Sequence, residues 1–430
     1  MSSTKHISIS PKIRGGWPAT NHDPTSAEKA SKLLQEDLVK FDMFFEPPRH
    51  NHIVHHIIAA YALGASPGQL QRAFDVNAAY QRPCLPHNED VIQAMSDKRK
   101  INTFLDAYQH YPSFLAFFQR QIDAKGPGAV LEEYLFANDH VSNELLVRWV
   151  AGLLHSVLHF GYAIETEQPA ILAQALAQAS IHEERDVDII KLALLDAEAT
   201  AASREPPLNR SLLDILDDIR QSVELEKAHV APDFDKVKPV LYRKYDAYVK
   251  LLSEYTITPE NLEDRILEAV NVWSAGAACK PPAGLSFKVD FFLLHAVNLV
   301  PFLPLFGDTS WLSVSSKIRL LEWITRYNIL LYASRGCPEL TDKYIEASQS
   351  HLKDWPEVFN AAINRTYDDG HLVKAVRALA FAQETTRALE KDGTRIIAED
   401  KWLPLANMVL DSVKDNAKES EERWQYEHWE

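Results

Sequence analysis

Glycine is scarce in this chain: 14 of 430 residues, about 3% where ~7% is usual. Folds that depend on glycine are therefore disfavoured. Dinucleotide-binding sheets need it to bring backbone against a pyrophosphate, and β-rich folds need it in turns with positive φ. The remaining option is a chain of long regular elements, and the hydrophobic spacing makes them helices. Leu34, Leu38, Phe41, Phe44 and Phe45 recur at about 3.6 residues. Residues 52–63 form a second run that Gly64 stops, and Ser66-Pro67 then reads as an N-cap with proline at the first helical position. The same period marks residues 102–122, 140–164, 168–200, 209–226, 240–256, 260–278, 287–300, 311–334, 355–366, 371–391 and 400–419. No two alternating runs are joined by a hairpin signal. The expected fold is all-α, one large helical body of a dozen or more helices. Residues 1–24 read as an irregular arm, 25–414 as the helical domain with a candidate hinge near 202–208, and 415–430 as a charged tail.

Charge and cysteine narrow the partners. Lys and Arg number 45 against 60 Asp and Glu, so the formal net charge is −15. Nucleic acid and anionic membrane call for the opposite sign. Cys84, Cys279 and Cys337 are far apart and odd in number, which gives neither a disulfide frame nor a zinc ribbon. No apolar leader opens the chain. The most apolar run, residues 291–306, is interrupted by His295, Asn298, Pro301 and Pro304 and is shorter than the ~20 residues of a membrane span. A cytoplasmic protein is expected, without a membrane or nucleic-acid partner; the sequence leaves its oligomeric state open.

The 17 histidines are organised. His52, His55 and His56 are related by i+3 and i+4 and share one helix face. His155 and His159 lie one turn apart in an apolar run. His295 sits in the most apolar helix. His371 opens a further helix, with Lys374 three residues on and Arg377 three beyond that. Each group alone reads as packing or as a solvated face. Together, four apolar helices bring imidazole toward one interior, which is how helical metalloproteins build their sites. Imidazole suits zinc, iron, copper and nickel, and oxygen-activating iron sites also want an anionic oxygen. Asp368 and Asp369, just before His371, offer one. Lys374 offers another: desolvation lowers a lysine's pKa, and the free amine takes up carbon dioxide as a carbamate. No phosphate-binding or metalloprotease signature is present.

These segments, Asn51-His52 with His55-His56, His155 with His159-Phe160-Gly161-Tyr162, Phe291 to His295, and His371 with Lys374, resemble the questin oxidase-like family in the family's own order, over about residues 40–390. The resemblance implies a helical non-haem iron oxygenase. Its Fe(II) would be held by His52, His155, His295, His371 and a carboxylated Lys374, with His56 and His159 as neighbouring catalytic positions. It also implies a substrate, a polyketide anthraquinone or its hydroquinone, whose central ring is cleaved with dioxygen in fungal secondary metabolism, by a dioxygenase or a monooxygenase course. NADPH is an implied co-substrate of some relatives. Arg377 is the candidate for a substrate phenolate or carboxylate, a salt bridge being its alternative role. Tyr162, Trp273, Phe291, Phe292 and Trp311 are either walls for a flat substrate or plain core. Two other readings stay open. One is a metal-free, NADPH-dependent Baeyer-Villiger oxidase using the histidines as acids and bases. The other is a helical protein-binding scaffold in which they only pack.

Overall fold

The computed structural model describes residues 2–12, 23–47, 49–182, 187–226, 237–279, 287, 289–345, 351–366, 368–391 and 393–413. Among them the fold is all-α, as the spacing predicts. The one sheet among the described residues is a two-stranded antiparallel pair, Phe44–Glu46 with Arg49–His50. No helix among the described residues is long and apolar enough to cross a membrane. The expected charged tail, 415–430, lies outside the described residues, as does much of the expected arm.

The chain forms two compact units. The first comprises Met1–Arg185, Asp308–Ser316 and Phe359–Arg377; the second comprises Asp186–Gly307, Lys317–Val358 and Ala378–Glu430.

In the first unit the helix Pro24–Lys40 starts at Asp23, whose carboxylate accepts from the Thr25 N–H. It ends at Lys40, so Phe44 and Phe45, expected to extend it, instead lie in the short strand. The helix Ile53–Ala62 follows and is buried along its whole length. Asn51 secures its start: its Oδ1 accepts from the Ile53 N–H at 2.9 Å, and its Nδ2 donates to Asp37 at 2.7 Å. Gly64, at φ +91, ends this segment. Ser66 then caps Pro67–Ala78 in a reciprocal capping box with Gln69, with Pro67 at the first position as expected. The N-terminal residues are irregular yet anchored. The Gln168 side chain bonds both the N–H and the C=O of Ser8, Gln35 accepts from the Ile7 N–H, and Ile7 and Ile9 are buried.

The run expected as one helix over 140–164 is broken. His140–Val150 closes at Ala151, and His155–Thr166 begins after Gly152, Leu153 and Leu154, all with φ between +52 and +62. Three left-handed residues in succession are rare, and two carry side chains that the conformation disfavours by about 1–2 kcal/mol each. Gly152 is required for space as well: a Cβ there would overlap the His182 imidazole. The turn sets His155 at the head of its helix.

In the second unit, the Arg326 guanidinium is fully buried and donates to the carbonyls of Leu252 and Tyr255, fixing the turn that follows the helix ending at Leu252. Asp290 accepts from the Phe292 and Leu293 N–H groups and pairs with Arg335 at 2.6 Å, fixing the start of the helix Leu293–Leu299. The candidate hinge residues, 202–208, belong to this unit.

Candidate metal centre

His52, His155 and His371 converge. Each is buried, and one ring nitrogen from each lies within 4.8 Å of the other two. They come from three places in the sequence and from the first unit alone: His52 precedes Ile53–Ala62, His155 opens its helix, and His371 opens His371–Thr385. The His52 and His155 Nε2 atoms are 2.9 Å apart.

The remaining ring atoms explain which nitrogen each histidine presents. His155 Nδ1 lies 2.7 Å from the Gly152 carbonyl. A carbonyl only accepts, so Nδ1 carries the proton and Nε2 is a bare lone pair. His371 Nδ1 lies 2.7 Å from Asp369 Oδ1, which leaves its Nε2 likewise bare. Burial lowers the His371 pKa against the pull of Asp369, so the ring is neutral, the form that binds metal.

Lys374 lies one turn beyond His371. Its Nζ is buried with no hydrogen-bond partner, and burial brings its pKa down to about 8, against the opposing charges of Asp369 and Asp368. A buried amine without a partner is costly unless another group satisfies it. Three convergent imidazoles, beside an amine able to become an anionic carbamate, form a donor set that fits a first-row divalent metal.

Around this core lie histidines of other kinds. His55 is fully buried with neither ring nitrogen bonded, and its ring stacks on Tyr162 at 5.2 Å. Burial, then the charge of Lys374, pushes its pKa well below the usual histidine value. His159 reaches Gln174 through Nε2 at 3.4 Å, has an unpartnered Nδ1, and is lowered by burial to about 4. His56 Nδ1 accepts from the Asn77 amide at 3.0 Å. Arg377 is buried and forms a two-pronged pair with Glu165, one prong at 3.1 Å. Its charge is committed to that partner. Tyr162 and Trp311 belong to the first unit, Tyr162 lying against His55 and Trp311 edge-on to Phe160. Trp273, Phe291 and Phe292 belong to the second, as does His295, whose Nδ1 lies 2.8 Å from the Phe291 carbonyl.

Two further histidines were not singled out from the sequence. The His50 ring stacks flat on His155, with centroids 3.9 Å apart and planes within 3°, and His182 stacks on His50 at 5.2 Å. His50 precedes His52 by two residues on the strand Arg49–His50; a strand alternation around His50 was the available signal. Nothing in the spacing points to His182.

Comparison with known proteins identifies the family. A family model described as Questin oxidase-like matches residues 49–379. The chain is 33% identical to the Baeyer-Villiger oxidase ptaJ of Pestalotiopsis fici over 425 residues, covering 96% of this chain and 94% of that one. It is 31% identical to the questin oxidase of Aspergillus fumigatus over 439 residues, covering 99% and 96%. It is 30% identical to the Baeyer-Villiger oxidase mdpL of Emericella nidulans, covering 99% and 96%. With the model match spanning most of the chain and oxidases aligned nearly end to end, the chain is an oxidoreductase that belongs to the questin oxidase-like family.

Proposed function

We propose that this chain cleaves the central ring of a polyketide anthraquinone, or of its hydroquinone, with dioxygen, and that His52, His155 and His371 hold the iron it uses. The observation that carries the reading is the convergence of three buried imidazoles beside the unpartnered Lys374 amine, in a chain whose relatives bear the names questin oxidase and Baeyer-Villiger oxidase. Iron(II) held there supplies the activation of dioxygen that attack beside a ring carbonyl requires.

The protein's own groups prepare that site. The Gly152 carbonyl accepts a hydrogen bond from His155 Nδ1–H, and Asp369 accepts one from His371 Nδ1–H. Both Nε2 lone pairs are thereby held outward without reorganisation when the site fills. Lys374, its ammonium disfavoured by burial, loses that proton, and the free amine adds carbon dioxide at Nζ with loss of a second proton; the carbamate oxygen would add negative charge beside the three imidazoles. His55 and His159, both neutral, leave that charge unopposed by imidazolium. Arg377 pairs with Glu165 and hydrogen-bonds Tyr162. The part of His295 in the ligand set rests on the resemblance alone, and the metal content of His295→Ala tests it.

Cleavage is tested by incubating the protein with hydroxyanthraquinones and their hydroquinones under ¹⁸O₂. A ring-opened benzophenone-type product carrying the label is expected. Absence of ring opening across that class contradicts the substrate reading. Turnover by metal-free protein that depends strictly on NADPH would instead establish the metal-free Baeyer-Villiger course.

A further inference from the structure

Asp369 lies between two of the three converging histidines. Its Oδ1 is 2.7 Å from His371 Nδ1, and its Oδ2 is 3.8 Å from His52 Nδ1. It is itself buried. One carboxylate therefore faces the Nδ1 side of both rings, while the other side of each turns toward the shared centre. We propose that Asp369 is the positioning residue of this centre: one carboxylate fixes the tautomer of His371 by a direct hydrogen bond, so that His371 presents Nε2 to the shared point, and its second oxygen sets a negative charge on the Nδ1 side of His52 that favours the Nδ1–H form metal binding requires of that ring. The inference rests on the metal reading above for its purpose, though not for its geometry.

The surrounding turn is built to keep that carboxylate in place. Asp368 accepts from the N–H groups of Leu372 and Val373, capping the helix that His371 opens. Gly370 adopts φ +98, and a Cβ at that position would stand 2.8 Å from His56 Cβ and 3.0 Å from His56 Cα. The backbone between Asp369 and His371 thus lies directly against the helix that His52 precedes. The Gly370 carbonyl accepts the helical bond from the Lys374 N–H at 3.0 Å. Capping, close approach and carboxylate reach all come from four consecutive residues, Asp368 to His371. Asp369 also stands outside the ligand group itself. It backs the imidazoles, and a neutral ring hydrogen-bonded to a carboxylate is a more basic ligand than one bonded to water.

The test separates Asp369 from the metal. In metal-free protein labelled with ¹⁵N-histidine, and assigned by comparison with His371→Gln, the His371 ring should report protonated Nδ1 and bare Nε2. Asp369→Ala should shift it toward the other tautomer. Asp369→Asn, whose amide oxygen still accepts from Nδ1–H, should keep the tautomer and guards against a folding failure of the alanine variant. Co(II) is then titrated into each protein. Asp369→Ala should bind about 10- to 100-fold more weakly, and Asp369→Asn should lie between it and the wild type. An Nε2–H tautomer of His371 in the wild type overturns the proposal. So does an alanine variant with unchanged tautomer and unchanged affinity. A wild-type protein with the expected tautomer but no Co(II) binding supports the positioning of His371 while contradicting the metal reading, so the two failures are distinct.

Discussion

The Nε2 atoms of His52 and His155 face each other at 2.9 Å. His155 has its Nδ1 proton on the Gly152 carbonyl, so its Nε2 carries a lone pair, and that lone pair needs a proton or a metal. His155→Ala should therefore abolish metal binding and turnover together, by more than the roughly 10- to 100-fold expected for losing an outer partner. Circular dichroism should still show a folded helical protein. A variant that keeps both its metal and its rate would remove His155 from the centre.

Lys374 provides a pH signature. The unfolded lysine keeps its proton to about 10.4, whereas the folded one loses it near about 8. Between those values the unfolded chain binds more protons, so this group's contribution makes metal-free protein in carbon dioxide-free buffer gain stability as pH rises. Denaturant midpoints measured from pH 8 to 10.5 should rise more steeply in the wild type than in Lys374→Met. Parallel curves would mean that Lys374 is not held as a buried amine. Separately, the Lys374→Ala protein should recover part of its turnover when small carboxylates are added.

Arg377 and Glu165 are both about 1% exposed and pair through two prongs. Removing one partner leaves a buried charge without its counter-ion, which costs about 3–5 kcal/mol. Arg377→Met should thus lower the thermal midpoint sharply, and the double variant Arg377→Met with Glu165→Leu should recover much of the loss. A single variant with an unchanged midpoint and an impaired rate would assign Arg377 to substrate binding instead.

Gly370→Ala combines a left-handed backbone with a contact against His56. It should destabilise the protein by roughly 1–3 kcal/mol and weaken metal binding as well, because the turn carries both Asp369 and His371. Urea titration and Co(II) titration of one preparation check the two effects. A loss of stability with metal affinity intact would mean that the turn serves folding alone.

Much of the fold is legible in the sequence because helices carry a local signature. The capping box at Ser66 and Gln69, the stop at Gly64 and the apolar period could all be read from neighbouring residues. The break at 152–154 could not. Gly152-Leu153-Leu154 continues the apolar period, and only the tertiary demand for His155 at a helix start, with His182 occupying the space beside Gly152, explains three left-handed residues there. The site divides the same way. His52, His155 and His371 were visible through their spacing on apolar helices. His50, stacked on His155, His182 behind it, and Asp369 bridging two rings depend on residues about 100 to 320 positions apart, which no local pattern records.

Metal analysis of wild-type protein purified without oxygen tests the central claim most directly. About one iron per chain is expected, with loss of ring cleavage on chelation and its return when Fe(II) is added back. A protein that carries only trace metal and turns over unaffected by chelator would contradict the account.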